Sequence, residues 1–306
     1  MIVLRSLKGL KGVKNPILTL GNFDGIHLGH RRIISRVVAK AEKESVPSVV
    51  YTFEPHPLKV VAPHRSPPLL LDMEDKRGLI KELGIDYLVL AEFTKEFAAT
   101  HPRQFVEDVL IKGLKVMEVW VGHDFSFGRG RTGTAEYLRE LGEELGFKVR
   151  VMPAYRKAGL IVSSSLIREL IKTGEVRKAA SLLGKDYRIK GRVVKGASVG
   201  REIGFPTANL RVSSELVPKN GVYAAYASVG GVRRAAVLNI GTAPTFGGRE
   251  KTVEVHILGF RGDIYGRKME VAFVRRLRDE KTFKTKAALI SRIRRDALRA
   301  REILEG

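Results

Sequence analysis

The sequence predicts an α/β protein in two parts, a parallel sheet covered by helices on both faces and then an antiparallel β-barrel with a terminal helix. From about Ile17 to Leu183, short apolar runs alternate with amphipathic stretches. Strands rich in Val, Leu and Ile on both faces, separated by helices, call for a parallel sheet covered on both sides. Beyond Gly184 the strands follow one another through Gly-rich turns with no long helix until the end, the pattern of an antiparallel sheet or small barrel. The 306 residues leave room for about two ordinary domains.

In the first part the expected strands are 17–21 (ILTLG), 48–53 (SVVYTF), 86–93 (DYLVLAEF), 118–122 (EVWVG) and 148–153 (KVRVMP). Helices are expected at 29–44, 73–83, 102–112 and 134–146, followed by two short ones at 164–172 and 175–183. Strands then read at 188–194, 221–229, 232–241, 251–258 and 267–277, with Gly230-Gly231 as a two-residue hairpin signal. A boundary near 184–187 divides the chain into domains 1–184 and 185–306. The stretch 281–301 reads as a terminal helix, with Phe283, Ala287, Ile290, Ile293, Ala297 and Leu298 at helical spacing.

Composition excludes several function classes. There is no Cys, which removes disulfide scaffolds, thiol catalysis and thiolate zinc sites. No apolar stretch approaches the roughly 20 residues of a membrane span, and the basic residues and glycines of the first sixteen positions do not form a secretory leader. A cytoplasmic setting is expected. Lys and Arg exceed Asp and Glu by 55 to 33, a net charge of +22 that invites anionic partners, nucleic acid or phosphorylated small molecules. No aromatic residues alternate with the cations of 281–301 as base-stacking platforms would, so a packed helix with a solvated basic face is expected there rather than a dedicated nucleic-acid site.

Residues 17–34, ILTLGNFDGIHLGHRRII, run from a strand through a Gly-rich loop into a helix. That arrangement aims unpaired backbone N–H groups and the positive end of the helix at one spot, which suits a phosphate. His27 and His30, three residues apart at the helix entrance, can both face that spot. An imidazole donates a hydrogen bond when neutral and adds charge when protonated, and two of them would stabilise charge building on a nucleotide α-phosphate during in-line displacement. A zinc site from His27, His30 and His56 is not expected.

The segment His27-Leu28-Gly29-His30 resembles the signature of the HxGH nucleotidyltransferases. The longer GNFDGIHLGH is similar to the adenylyltransferase module of the prokaryotic bifunctional riboflavin kinase/FAD synthetases. That resemblance implies a Rossmann-like fold for the first domain, with Gly21, Phe23, Asp24, Gly29 and Ser164 on ATP. Three further segments match the module. TFEPHP (52–57) follows a strand, and its prolines bracket His56 and fix an extended loop, carrying Phe53, Pro55 and His56; by itself it could equally be a rigid turn. VGHDFSFGRGRTG (121–133) resembles the family's GxDFxFG loop, implying nucleotide and flavin contacts through Asp124, Phe125 and Gly128. VSSSLIREL (162–170) resembles ISSTxIR, with Ser165 where Thr is usual and Val162 for Ile. A hydroxyl at a helix start caps it and can bind phosphate, so Ser164 carries both roles, and Arg168 one turn on would clamp the pyrophosphate leaving group. Residues 128–133 also fit GxGxxG, but HDFSF separates them from their strand. No strand bearing a ribose-binding carboxylate follows, so a nicotinamide site is not expected.

In KGASVGREIGFPTANL (195–210), Gly196, Gly200 and Gly204 surround Arg201 ahead of a Pro206-Thr207-Ala208-Asn209 turn. Glycines let backbone amides approach phosphates closely, and Thr207 and Asn209 offer hard oxygens suited to Mg2+ carrying a nucleotide. No Walker A loop is present. In KTVEVHIL, Glu254 shares the polar face of its strand with Thr252 and His256, and beside a bound ATP it could take the proton of an attacking hydroxyl. This half resembles the riboflavin kinase module of the same family through GREIGFPTANL, NIGTAPTFGG (239–248) and LRDEKTF (277–283). The resemblance implies Mg·ATP on Thr207 and Asn209, Glu254 as catalytic base, and Arg278 and Glu280 on the flavin side.

Together the two resemblances imply phosphorylation of riboflavin to FMN with ATP, then adenylylation of FMN to FAD with release of pyrophosphate. Riboflavin, FMN, FAD and ATP would be substrates or products, and Mg2+ would accompany ATP. Two other readings stay open on the residues alone. One is a basic nucleic-acid-binding protein with secondary nucleotide chemistry; the other is an HxGH adenylyltransferase acting on a different phosphate acceptor. The sequence leaves the oligomeric state open.

Overall fold

The computed structural model describes the chain from Met1 to Gly306 apart from residues 11–12, 196–202 and 246–247. By packing, the described residues fall into two compact units, Met1–Ser163 and Ser164–Gly306.

The first unit is built on a six-stranded parallel sheet of β1 (Ile2–Leu4), β2 (Ile17–Leu20), β3 (Ser48–Glu54), β4 (Tyr87–Glu92), β5 (Glu118–Gly122) and β8 (Lys148–Met152), in the order β1-β4-β3-β2-β5-β8. Each central strand sends alternate residues to opposite faces, and both faces are dry. Leu18, Leu20, Val49, Tyr51, Val119 and Val121 enter one core, whereas Ile17, Val50, Leu88 and Leu90 enter the other. Each such side chain buried contributes about 1.5–3 kcal/mol.

Helix α1 (Leu28–Glu44) packs on the second core through Ile33, Ile34, Val37 and Ala41. The short α2 (Pro57–Val61) follows β3, and α3 (Met73–Glu82) adds Leu79 and Ile80 to the same core. On the other face lie α4 (Lys95–Ala98), α5 (Pro102–Phe105) with its π-helical continuation through Val106–Gly113, and α6 (Ala135–Leu145). Thr134 caps α6 by accepting from Tyr137 N at 3.1 Å, and Gly146 ends it in the left-handed region at φ 80°. Small two-stranded ribbons, β6 (Ser126–Phe127) with β7 (Gly133–Thr134) and β9 (Arg156–Lys157) with β10 (Leu160–Ile161), complete the unit.

The second unit opens with α7 (Ser164–Lys172) and α8 (Val176–Leu183), then closes a barrel. Its strands are β11 (Tyr187–Val194), β12 (Ala208–Val212), β13 (Gly221–Val229), β14 (Val232–Thr245), β15 (Gly248–Ile257) and β16 (Lys268–Arg278), in the order β11-β12-β15-β14-β13-β16. All pairs are antiparallel. The β13–β14 hairpin turns on Gly230 (φ 59°) and Gly231 (φ 81°), as the Gly-Gly signal required. Alternation fills the interior with Ile189, Tyr223, Leu238, Ile240, Val253, Val255, Val271 and Phe273. The packing division comes before the 184/185 boundary expected from composition because α8 packs on β11 and β16, and Lys219 N donates to the Ile171 carbonyl at 3.3 Å.

The terminal helix α9 spans Lys286–Glu305, starting later than the expected 281 because the Thr285 hydroxyl accepts from Ala288 N at 3.2 Å and fixes the first turn there. Ala297, Ala300, Ile303 and Leu304 pack on the outer face of β13 and β14 against Val222, Ala224 and Val237. Leu298, expected on the packed stripe, is 61% exposed, because the 100° step per residue turns it away from Ala297 and Ala300. Among the described residues no helix is long and apolar enough to cross a membrane.

Candidate functional site

From β2 the chain turns one way, to β3 and β4, and later the other way, to β5 and β8. The reversal opens a crevice at the carboxyl ends of β2 and β5, where ligands of such sheets bind. The HxGH loop leaves β2 and the GHDFSFG loop leaves β5, so the fold brings together two segments that lie about a hundred residues apart in the chain.

The first loop is held in an unusual backbone conformation. Phe23 (φ 47°) and Ile26 (φ 41°), neither of them glycine, join Gly25 (φ 88°) in the left-handed region. Such residues cost of order 1–3 kcal/mol each and persist only where their surroundings fix them. Here the fixing is explicit. The Asn22 carbonyl accepts from Lys76 Nζ at 2.8 Å and from Thr52 Oγ1 at 3.3 Å. The Asp24 carboxylate, 3% exposed, accepts from Leu70 N at 3.0 and 3.2 Å. Asp24, expected on ATP, is thus bonded to the Leu70 backbone in this structure. Gly21 and Gly29 are small for a reason, since an added Cβ would meet the Phe23 ring at 3.1 Å and the His27 ring at 3.2 Å.

His27 is the N-cap of α1, its Nδ1 accepting from His30 N at 3.3 Å. That bond places the proton of the neutral ring on Nε2. The His27 and His30 rings stack with centroids 3.6 Å apart and planes 16° from parallel, and Phe23 stands edge-on to His30 at 5.2 Å. Burial pulls the His27 imidazole down to about 4, opposed in part by its backbone hydrogen bond and the Asp124 carboxylate. Burial also holds His30 well below the usual range, helped by His27 and the Lys76 ammonium. Both shifts favour the neutral imidazole at physiological pH. His30 Nδ1 is buried without a hydrogen-bond partner among the described residues.

The remaining expected residues of this site divide by environment. Phe53 sits in an aromatic cluster with Tyr51, Phe93 and Phe97, centroids 5.3–5.8 Å away. Pro55 follows a cis peptide bond, and His56 caps α2 by accepting from Leu58 N at 3.3 Å. Asp124 is exposed at the end of β5, Phe125 stacks on Phe127 at 5.5 Å, and Gly128 (φ 71°) has its Cβ position 2.5 Å from Pro102. Ser164 and Arg168 stand on α7 in the second unit, Arg168 only 8% exposed. Lys76 and Thr52 went unrecognised in the sequence. A signal for Lys76 existed: it falls on the apolar stripe of α3 with Leu79 and Ile80, where a lysine is out of place.

In the second unit the candidate site lies on the outside of the barrel wall. Gly196, Gly200 and Arg201 lie outside the described residues. Gly204 (φ 82°) turns the chain into Phe205, whose ring meets His256 edge-on at 5.5 Å, and the Pro206 carbonyl lies 2.9 Å from His256 Nδ1. This docks the segment carrying Thr207 onto β15. Asn209 on β12 and Asn239 on β14 are both register partners of Glu254 on β15. Directly opposed residues of an antiparallel ladder share a face, so Glu254 stands between two amides. Asn239 is a residue whose place the sequence did not reveal, because it depends on β14 pairing with β15.

Burial, and then the nearby Glu280 carboxylate, push the Glu254 carboxyl above its ordinary range. Glu280 lies against Gly241, where a Cβ would stand 2.5 Å from its Oε1, and its Oε2 accepts from Asn220 Nδ2 at 3.4 Å. Arg278, expected on the flavin side, donates from its Nε to the buried Asp296 of α9 at 2.8 Å, where Arg292 Nε also points at 3.1 Å. Among the described residues no group of three or more His, Cys, Asp or Glu side chains could hold a metal. The two neutral oxygen donors of Thr207 and Asn209 suit a hard cation that arrives on nucleotide phosphates.

Comparison with known proteins agrees with this division. Residues 11–166 match the family model described as FAD synthetase, and residues 183–304 the one described as riboflavin kinase. The chain is 38% identical over 287 residues to the bifunctional riboflavin kinase/FMN adenylyltransferase of Escherichia coli K12, covering 94% of this chain and 92% of that protein. It is 35% identical over 305 residues to the protein of the same description from Pseudomonas fluorescens, covering 99% and 98%. A solved structure from Streptococcus pneumoniae described as a macrolide-efflux protein superposes with a TM-score of 0.88 at 30% identity, covering 98% of both chains. The chain therefore belongs to the bifunctional riboflavin kinase/FMN adenylyltransferase family.

Proposed function

We propose that the two activities of the family are divided between the two units, adenylyl transfer at the β2–β5 crevice and phosphoryl transfer on the outer wall of the barrel. The chain is an enzyme that makes FMN from riboflavin and FAD from FMN. What supports this division is the contrast between the two clusters. One offers a pair of neutral imidazoles at a helix N-terminus, and the other a carboxyl with a raised pKa between two asparagines.

In the first site the FMN phosphate is already a competent nucleophile, so no protein base is needed. It attacks the α-phosphorus of ATP as pyrophosphate leaves. His27, through Nε2–H, and His30 donate to the phosphoryl oxygens on which charge builds, and positioning supplies the rest. Gly21 and Gly29 let the backbone approach ATP, with Phe23 behind His30 and Asp24 holding the loop. Phe53, Pro55, His56, Asp124, Phe125 and Gly128 shape the nucleotide and flavin side.

In the second site Glu254 accepts the proton of the riboflavin 5′-hydroxyl as that oxygen attacks the γ-phosphorus of ATP and ADP leaves. A carboxyl raised towards neutrality is the better base. Thr207 and Asn209 would hold Mg2+ with the nucleotide, and the ion when bound neutralises phosphate charge. For Gly196, Gly200, Arg201, Gly204 and Pro206 the role in this reading is binding ATP. Glu280 borders the flavin side, and Arg278 holds its segment through Asp296. A cytoplasmic setting, where ATP is at hand, goes with this reading.

The test is to incubate the protein with riboflavin, ATP and Mg2+ and to separate the flavins by chromatography. FMN and then FAD are expected from the intact chain. A Glu254→Gln chain should make no FMN from riboflavin yet convert supplied FMN to FAD. If that variant loses both conversions while folded, the division is wrong.

A further inference from the structure

We propose that Lys76 is a positioning residue for adenylyl transfer, its buried ammonium fixing the Asn22–Asp24 turn and standing as a positive charge behind the two imidazoles. This rests on the reading of the β2–β5 crevice given above.

Lys76 is 6% exposed, an uncommon place for an ammonium, which is costly to strip of water without partners. It sits on α3, outside all of the motif segments and some fifty residues after Asn22, yet its Nζ reaches the Asn22 carbonyl at 2.8 Å. That carbonyl precedes Phe23, the first left-handed residue of the loop, whose ring backs Gly21 and meets His30 edge-on. The charged groups facing Lys76 come from each element around it: Asp24 from the loop, Glu54 from β3 and His30 from α1. His27 in turn faces Asp124 beyond β5.

A hydrocarbon side chain would have packed with Leu79 and Ile80 without desolvating a charge, so the lysine costs stability unless its charge is used. Its use follows from its neighbours. The hydrogen bond stabilises a turn that is otherwise strained, and thereby sets the position of Phe23 and His30. The positive charge disfavours protonation of His30, keeping that ring an N–H donor with a lone pair rather than a second buried cation. A developing negative charge at the crevice also gains from a fixed cation behind it.

The experiment compares Lys76→Met and Lys76→Arg with the parent full-length chain, measuring kcat and KM for FMN to FAD, the riboflavin kinase rate on the same preparation, and His ring titration by NMR. Lys76→Met is expected to lower kcat for FAD formation by roughly 10²-fold, the size typical of one lost electrostatic donor. KM for ATP and FMN should change less than about threefold, the kinase rate should hold, and the His30 titration should move upward. Lys76→Arg should recover at least about tenfold of the loss. A kcat within about threefold of the parent, or a parallel loss of kinase activity, would overturn the proposal, as would an unmoved His30 titration. His27→Asn run alongside separates the two levels. If it leaves FAD formation intact, the reading of the crevice fails; if it abolishes FAD formation while Lys76→Met does not, only the role of Lys76 fails.

Discussion

His27 accepts a hydrogen bond from the backbone N–H of His30 while their rings lie 3.6 Å apart, so one residue caps the helix, orients its neighbour and fixes its own tautomer. The two imidazoles form a unit rather than two independent donors.

Removing either ring should cost FAD formation about 10²–10³-fold while sparing FMN formation. His27→Ala also deletes a helix cap worth about 1 kcal/mol, whereas His27→Asn keeps a capping oxygen. His27→Asn should therefore match the activity loss of His27→Ala without its fall in Tm. The double variant with His30→Ala should lose less than the sum of the single losses, because the rings act together. Flavin chromatography and thermal unfolding check both points.

Keeping His27 neutral has a consequence for acid stability. Its folded pKa of about 4 lies below the 6.5 of an ordinary imidazole, so the unfolded chain binds the proton first as the pH drops. The stability it contributes is present above pH 6.5 and lost as the pH falls towards 4, of order 3 kcal/mol in all. Unfolding of the first unit, followed by urea titration from pH 7.5 to 4, should show this slope. His27→Asn should lessen it, leaving the part that His30 contributes.

Glu254 and Glu280 raise a like-charge question in the barrel. Glu280 helps hold the Glu254 carboxyl up, so Glu280→Gln should let that pKa fall. The acid limb of the riboflavin kinase pH–rate profile should then move to lower pH. An unmoved limb would mean that Glu254 is not the titrating base.

Arg278 and Asp296 join the end of β16 to α9, with side chains only 12% and 4% exposed. Arg278→Met leaves Asp296 buried with Arg292 alone, at a cost of about 3 kcal/mol. Pairing it with Asp296→Leu should restore most of that, because no charge is then left buried without its partner. Recovery of stability together with kinase activity in the double variant would show that Arg278 acts through packing. Recovery of stability alone would return it to the flavin.

The sequence by itself determined the two-part architecture, the parallel and antiparallel character of the parts, the Gly230-Gly231 hairpin and the motif segments. Each of these rests on local periodicity or on residues a few positions apart. It did not reveal β1, whose three residues are too few to show a period, or β12, whose pattern hides behind the Pro-Thr-Ala-Asn turn. Nor could it tell that Asp24 faces Leu70 or that Arg278 faces Asp296, since a motif names a residue type and not its direction. Only the tertiary structure set Asn239 beside Glu254 and Lys76 beneath His30. Those neighbours arise from strand register and from a helix folded back on a loop some fifty residues earlier, and such contacts leave no trace in local spacing.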